Sequence, residues 1–305
     1  MQQSHEQTSS NSVTVKIVNG FVSKGRGGNP AGVVLDADKL TEQDMQKIAA
    51  SVGLSETAFV STSEREGFRL DFFTPNRRIA HCGHATIAAF SHMASIGRID
   101  DGETSKETVD GPRRIILRDG AAYMEQLSPK YQVETDWAEA GVTNAAVLDS
   151  LSLTEGDLDM RCPPTLVNTG NSFMIVGVRS GQVLRALQPD FAAISDISER
   201  LDLIGYYVYT SDITTTEHAA TTRMFAPRYA IEEESATGMA AGPLACLLHD
   251  RLGVSKDNMV IAQGVYMTPA SPSILDARLD IADGVITGLM VGGYGKAMES
   301  RTVQF

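Results

Sequence analysis

Three short stretches of this 305-residue chain set groups that can move a proton beside residues that expose backbone amides. Glu56 stands in Ser55-Glu56-Thr57-Ala58-Phe59-Val60, after a helical pattern and at the head of an apolar strand, so its carboxyl points toward a partly desolvated space. Loss of water disfavours the charged form and lifts a carboxyl toward the range where it both takes and gives protons near neutrality. A surface carboxylate capping a strand end fits the same local pattern. Cys82-Gly83-His84-Ala85-Thr86 joins a thiol and an imidazole across a glycine at a helix start, where the helix dipole lowers a thiol pKa and favours bound anions. Cys82 is therefore either a reactive thiol or a packing residue, and His84 a ligand contact or a satisfied core imidazole. Glu232, Glu233 and Glu234 lead through Ser235-Ala236 to Thr237-Gly238-Met239-Ala240-Ala241. Acidic residues there act as caps or a solvated face, unless Glu234 turns inward to orient a substrate amine or hydroxyl.

These groups must be positioned by strands and by two unusual helices. Periodicity predicts strands over 13–21, 31–35, 57–61, 68–73, 114–117 and 121–126, and a helix over 41–52 capped by Thr41 with Asp44 three residues on. The run from Gly83 to Ile96 is small, apolar and nearly uncharged, as a helix buried on all sides is, and we place it inside a curved sheet. Beyond Pro129, strands are expected over 165–167, 173–178, 206–209 and 221–225, and helices over 182–187 and 190–200. The order strand, Pro turn, loop, Gly, small-residue helix occurs twice: Phe73-Thr74-Pro75 leads to Gly83, and Phe225-Ala226-Pro227 leads to Gly238. A duplication follows, with two glycine-led helix N-termini facing one cleft where free N–H groups can hold an anion.

Composition limits what that cleft serves. A net charge of −12, with no basic run, argues against nucleic acid, and an acidic ligand would have to be held by local devices against the global field. No apolar run reaches the roughly 20 residues that span a bilayer, so no membrane partner is expected and the reading is a cytoplasmic protein. Cys82, Cys162 and Cys246 are widely separated, without the paired spacing of a zinc site or a disulfide framework, and no metal is expected. Residues 1–12 are polar and read as a disordered tail. Lys24-Gly25-Arg26-Gly27-Gly28-Asn29-Pro30 lacks the spacing of a phosphate loop, and no dinucleotide fingerprint follows a strand, so neither nicotinamide nor flavin is implied.

Four motifs, in order over nearly the whole chain, resemble the phenazine-biosynthesis isomerase family, the PhzF-like proteins of the diaminopimelate-epimerase superfamily. They are Gly28-Asn29-Pro30-Ala31-Gly32-Val33; Leu54-Ser55-Glu56-Thr57-Ala58-Phe59-Val60; Phe72-Phe73-Thr74-Pro75 with Cys82-Gly83-His84-Ala85-Thr86; and Ala236-Thr237-Gly238 with Ala240-Ala241-Gly242-Pro243. The resemblance implies an α+β fold of two pseudo-symmetric domains, each a mostly antiparallel β-sheet or barrel wrapped around a central α-helix. Residues 13–128 plus 291–305 would form the first domain and 129–290 the second, in a homodimer. It also implies a cofactor-free isomerase acting on a small carboxylate-bearing metabolite, with Glu56 as the acid/base and Asn29, Gly83, His84, Glu234, Gly238 and Met239 binding substrate. Three positions depart from the family pattern: Glu234 replaces the usual Asp, Met239 a frequent small hydroxyl residue, and Arg78 a common acid. The related epimerases oppose two cysteines; here the first matches Cys82 but the second is Thr237, a poor base, which favours a one-sided reaction. The alternatives are a Cys82-dependent epimerase or dehydratase of an amino or hydroxy acid, and a non-catalytic ligand-binding relative.

Overall fold

Apolar runs bounded by glycine and polar turns fold as strands, and two small-residue runs led by glycine fold as helices that those strands enclose. In the computed structural model, which describes residues 11–212 and 218–305, the chain begins with β1 (Ser12–Gly20), β2 (Asn29–Val34), α1 (Glu42–Val52), β3 (Thr57–Ser61), β4 (Phe68–Phe73), β5 (Arg78–Ile79), α2 (Gly83–Ser95), β6 (Gly102–Thr108), β7 (Gly111–Arg118) and β8 (Ala121–Gln126). It continues through β9 (Lys130–Gln132), α3 (Asn144–Asp149), β10 (Thr165–Asn168), β11 (Ser172–Gly177), α4 (Gly181–Ala186), α5 (Phe191–Arg200), β12 (Gly205–Thr210), β13 (Ala220–Ala226), β14 (Ile231–Glu234), α6 (Gly238–Asp250), β15 (Asn258–Gln263), β16 (Ser273–Ala282), β17 (Val285–Tyr294) and β18 (Lys296–Gln304).

The pairing pattern occurs twice. Antiparallel β1–β2, parallel β2–β3, antiparallel β3–β4 and β4–β5, parallel β4–β6, and antiparallel β6–β7 and β7–β8 are matched, strand for strand, by β10 through β17. The position of α2 between β5 and β6 is likewise the position of α6 between β14 and β15. Each repeat receives one further antiparallel strand, β18 against β1 and β9 against β10. Position 291 falls within β17, which pairs with β16 and β8 together and so joins the repeats along its length. The expected polar tail lies outside the described residues except at its end, where Ser12 already pairs with Gln304.

Local chemistry explains the elements that hold the site. Thr41 and Asp44 close a reciprocal capping box on α1, whose Met45, Ile48, Ala49 and Val52 face the core. Helices α2 and α6 are buried along almost their whole length, α2 against β1, β2, β3, β7, β8, β17 and β18, and α6 against β10, β11, β16 and β17. Small residues let the sheets close around them. Strand β6, Gly-Glu-Thr-Ser-Lys-Glu-Thr, is too polar to be read from periodicity and was not expected, yet Lys106 and Thr108 on it are buried.

Strand β1 crosses the first turn of α2 so closely that a Cβ on Gly20 would lie 2.8 Å from the His84 carbonyl oxygen. Gly20→Ala should therefore push α2 outward and destabilise the fold by about 1–3 kcal/mol, the usual cost of overpacking. Urea unfolding checks this, and an unchanged midpoint would show that β1 does not fix that helix.

Candidate active site

The two enclosed helices present their N-termini to one space. Cys82 and Thr237 precede the first turns, and neither side chain caps its helix. The amides of Gly83, His84, Gly238 and Met239 therefore have no intrahelical acceptor. A Cβ on Gly83 would lie 3.3 Å from Met239 Cγ, so the two helix starts are in close contact, and one on Gly238 would lie 2.7 Å from Phe21 Cζ, where β1 ends against α6. Glu56, Cys82, Gly83, His84, Glu234, Thr237, Gly238 and Met239 all line the resulting cleft, about 1100 Å³ in volume.

Glu56 follows α1 and opens β3, held by a hydrogen bond from the Gly32 amide to its carbonyl at 3.0 Å. Its side chain is buried, with Oε2 3.3 Å from His84 Nε2. The two atoms are close but misaligned, and each lacks a hydrogen-bond partner among the described residues. On its other side, His84 Nδ1 is 3.4 Å from Glu234 Oε1 and 3.5 Å from Cys82 Sγ. One imidazole thus stands between two carboxylates, one from each repeat. Burial raises the Glu234 carboxyl above its ordinary value; His84 opposes that rise and the charge of Glu56 adds to it. Burial and then Glu56 also push the Cys82 thiol well up. The expectation that the helix start would lower that thiol is corrected: desolvation beside two carboxylates outweighs the helix dipole, and Cys82 is protonated at neutral pH.

Asn29, expected to contact substrate, is buried and donates to Glu234 Oε1 at 2.9 Å and to the Ala236 carbonyl at 3.1 Å, tying the end of β14 to β2. Thr237 Oγ1 donates to Glu234 Oε2. Gln263, which sequence reasoning missed, donates to the Glu234 carbonyl at 2.7 Å and accepts from the Thr237 amide at 3.0 Å and the Tyr207 hydroxyl at 2.9 Å. A buried polar residue at the end of an apolar strand, Asn-Met-Val-Ile-Ala-Gln, was the available signal. These bonds turn Glu234 inward, away from the exposed face where a run of three glutamates would ordinarily lie.

Charged residues of both signs line the outer cleft, where Arg228 pairs with Glu199 at 2.7 Å and Asp202 at 2.9 Å. Arg77, Arg78 and Arg228 line it around Tyr229, with Arg77 and Arg228 over that ring at 5.6 and 5.7 Å. Arg78 pairs with Asp71 and with Glu42 at 3.2 Å, so its charge is balanced by protein carboxylates. Beneath the start of α2, fully buried Lys106 donates to Thr86 Oγ1 at 2.6 Å and lies 3.2 Å from Nδ1 of His81, a cleft residue, and 4.9 Å from the Phe72 ring centre. Thr86 in turn donates to the Cys82 carbonyl at 2.6 Å. No carboxylate pairs with Lys106 among the described residues, and burial pulls its pKa well below 10.5. The unfolded chain then takes up a proton below pH 10.5 that the folded chain refuses, so this lysine costs stability increasingly as pH falls from that value. Lys106→Met should accordingly show its greatest stability relative to the parent near neutral pH, an advantage that narrows as pH rises toward 10.5. Paired urea melts across that range test the sign; a pH-independent difference would contradict the buried neutral amine.

Residues 18–286 match the family described as phenazine biosynthesis-like protein. The isomerase YddE of Escherichia coli K12 is 32% identical over 252 residues, 81% of this chain and 83% of its own. The trans-2,3-dihydro-3-hydroxyanthranilate isomerase of Pseudomonas aeruginosa is 28% identical over 288 residues, 92% of this chain and 95% of its own. In fold, a Bacillus anthracis protein of the PhzF family superposes with a TM-score of 0.86 over 97% of this chain and 100% of its own, at 23% identity. A hydroxyproline epimerase from Agrobacterium vitis does so at 0.60 and 14% identity, covering 96% of this chain and 93% of its own, so the mixed α+β architecture is diaminopimelate epimerase-like. Among the described residues, no helix is long and apolar enough to cross a membrane. With its motifs in family order, a matching sheet and relatives named as isomerases, the chain belongs to the phenazine biosynthesis-like PhzF family of isomerases.

Proposed function

We propose that this chain is a cofactor-independent isomerase that moves a proton within a small carboxylate-bearing metabolite, with Glu56 removing the proton and returning it. The observation that carries the reading is the buried, unpartnered Oε2 of Glu56, facing the cleft beside His84 and close to two open helix N-termini. An unpartnered carboxylate oxygen lining the cleft can take a proton from a bound substrate and hold it within reach of the same molecule. The amides of Gly83 and Gly238 and their neighbours receive the substrate carboxylate, as helix starts do for anions. Arg77, which lines the cleft, adds a positive charge there against the net negative charge of the chain. His84 and Glu234 orient the polar groups of the substrate, with Asn29, Thr237 and Gln263 fixing Glu234. Met239, where the family often has a small hydroxyl residue, offers no donor, so the substrate differs from the phenazine precursor. The family resemblance extends the reading to a homodimer in the cytoplasm.

A positioned general base is worth roughly 10²–10⁴-fold in rate. Glu56→Gln should lose about that much activity while keeping its circular dichroism and its binding of small carboxylic acids. The measurement is deuterium incorporation from solvent into a panel of such acids that includes trans-2,3-dihydro-3-hydroxyanthranilate. Incorporation that survives in Glu56→Gln rejects the assignment.

Cys82 gives a second test, because its thiol lies 3.5 Å from His84 and a thiol-based epimerase or dehydratase would need it as thiolate. Its raised pKa predicts that Cys82→Ala retains deuterium incorporation at neutral pH. Loss of incorporation in Cys82→Ala, with Glu56→Gln unaffected, would reverse the two roles, and ligand binding with no turnover across the panel would favour a non-catalytic relative.

A further inference from the structure

The fold assembles a donor set that the separated cysteines did not suggest. Cys82 Sγ, an imidazole nitrogen of His84 and a carboxylate oxygen of Glu56 all lie within 4.8 Å of one another, and all three residues are buried. His84 is central to the set, with Glu56 Oε2 3.3 Å from its Nε2 and Cys82 Sγ 3.5 Å from its Nδ1, so each ring nitrogen faces one of the other two donors. Tetrahedral zinc, with bonds of about 2.3 Å to sulfur and about 2.0 Å to nitrogen or oxygen, holds such donors about 3.3 to 3.6 Å apart. An ion on Nε2 would take Glu56 Oε2 at its present spacing, and Cys82 Sγ would have to approach from the Nδ1 side of the ring. Glu56 Oε2 and His84 Nε2 have no hydrogen-bond partner among the described residues, so two of the three donors have an unmet demand that a ligand would satisfy. Glu234 Oε1, 3.4 Å from His84 Nδ1, adds a second carboxylate, and a divalent cation would balance both.

We propose that Cys82, His84 and Glu56 form a site for a thiophilic divalent cation, with Zn²⁺ the best match, and that its binding switches the isomerase off. On binding, the Cys82 thiol gives its proton to solvent and forms the metal–sulfur bond, His84 supplies a nitrogen lone pair and Glu56 an oxygen; a water from the cleft fills the open fourth position, and no electron is transferred. A mixed sulfur, nitrogen and oxygen set excludes Mg²⁺ and Ca²⁺, which take oxygen ligands. The inhibitory half rests on Glu56 being the acid/base of the proposed reaction, since the ion occupies the oxygen that would take the proton. The binding half does not.

Cobalt separates the two. The full chain, reduced and titrated with Co²⁺, should take up one ion and develop a thiolate-to-cobalt charge-transfer band, removed by added Zn²⁺ but not by Mg²⁺. Cys82→Ser should lose that band completely, whereas Cys162→Ser and Cys246→Ser should keep it. Glu56→Gln, a second variant in case Cys82→Ser does not fold, should keep the band but bind Co²⁺ about tenfold or more weakly. A missing band at stoichiometric Co²⁺, or one that survives Cys82→Ser, overturns the site. Deuterium incorporation into the panel acids should then be abolished by Zn²⁺ and restored by a chelator. Undiminished incorporation in protein whose cobalt spectrum shows a filled site overturns the inhibition alone. A chain that forms the band but exchanges no panel acid before metal is added contradicts the proposed reaction and leaves the metal site standing.

Discussion

Two carboxylates and one imidazole share a desolvated space, and much of the surrounding structure serves to make that tolerable. A buried anion is costly unless charge or hydrogen bonds compensate it. Here His84 presents one ring nitrogen to Glu56 and the other to Glu234, and the open ends of α2 and α6 aim their amide dipoles at the same region. Compensation is uneven. Glu234 accepts hydrogen bonds from Asn29 and Thr237 while Glu56 Oε2 accepts none among the described residues. One carboxylate is fixed by hydrogen bonds and the other keeps an oxygen without a partner among the described residues.

Close backbone approaches make this arrangement possible. Gly20 brings β1 against the carbonyl of His84, and Gly238 brings α6 against Phe21, a residue that leaves β1 with a positive φ of 62°. Asn29 pairs with Gly20 in the sheet and reaches across to Glu234. A short segment around the β1–β2 connection thus touches both helix starts. Its glycine-rich sequence is explained by contact distances rather than by phosphate binding.

How much of this was legible in the sequence depended on whether a feature is local. The strands over 57–61, 68–73 and 121–126 were bounded correctly because their apolar runs end at polar or glycine punctuation, and α1 because its cap is written in Thr41 and Asp44. The duplication was visible as a recurring order of strand, Pro turn and Gly-led helix. What stayed hidden was decided by packing across long separations. β6 carries polar residues, and only the sheet around it shows that Lys106 is buried under α2. Asn29, Gln263 and Glu234 lie far apart in sequence, so neither the positioning role of Asn29 nor the inward turn of Glu234 could be read from neighbours. The Cys82 thiol was misjudged for the same reason: its helix start is a local fact, whereas its burial, the larger cause, and then its carboxylate neighbours from the approach to β3 and from β14 are set by packing.

The repeated topology also shows what the site has lost in symmetry. At equivalent helix starts the first repeat carries Cys82, Gly83 and His84, and the second carries Thr237, Gly238 and Met239. The glycines persist because both helices must approach closely; the flanking residues differ because nothing in the fold requires them to match. An imidazole can donate or accept a hydrogen bond through either ring nitrogen, whereas a thioether offers no donor. A reaction that removes a proton from one face and delivers another to the opposite face needs a competent group on each side. Here Thr237 is committed to Glu234, Met239 has no proton to give, and Glu234 is held by Thr237 and Gln263 of its own repeat and by Asn29. The atoms left without a hydrogen-bond partner lie on the Glu56 and His84 side. That asymmetry fits a carboxylate that takes and returns a proton on the same face of a substrate better than it fits an exchange between two opposed bases.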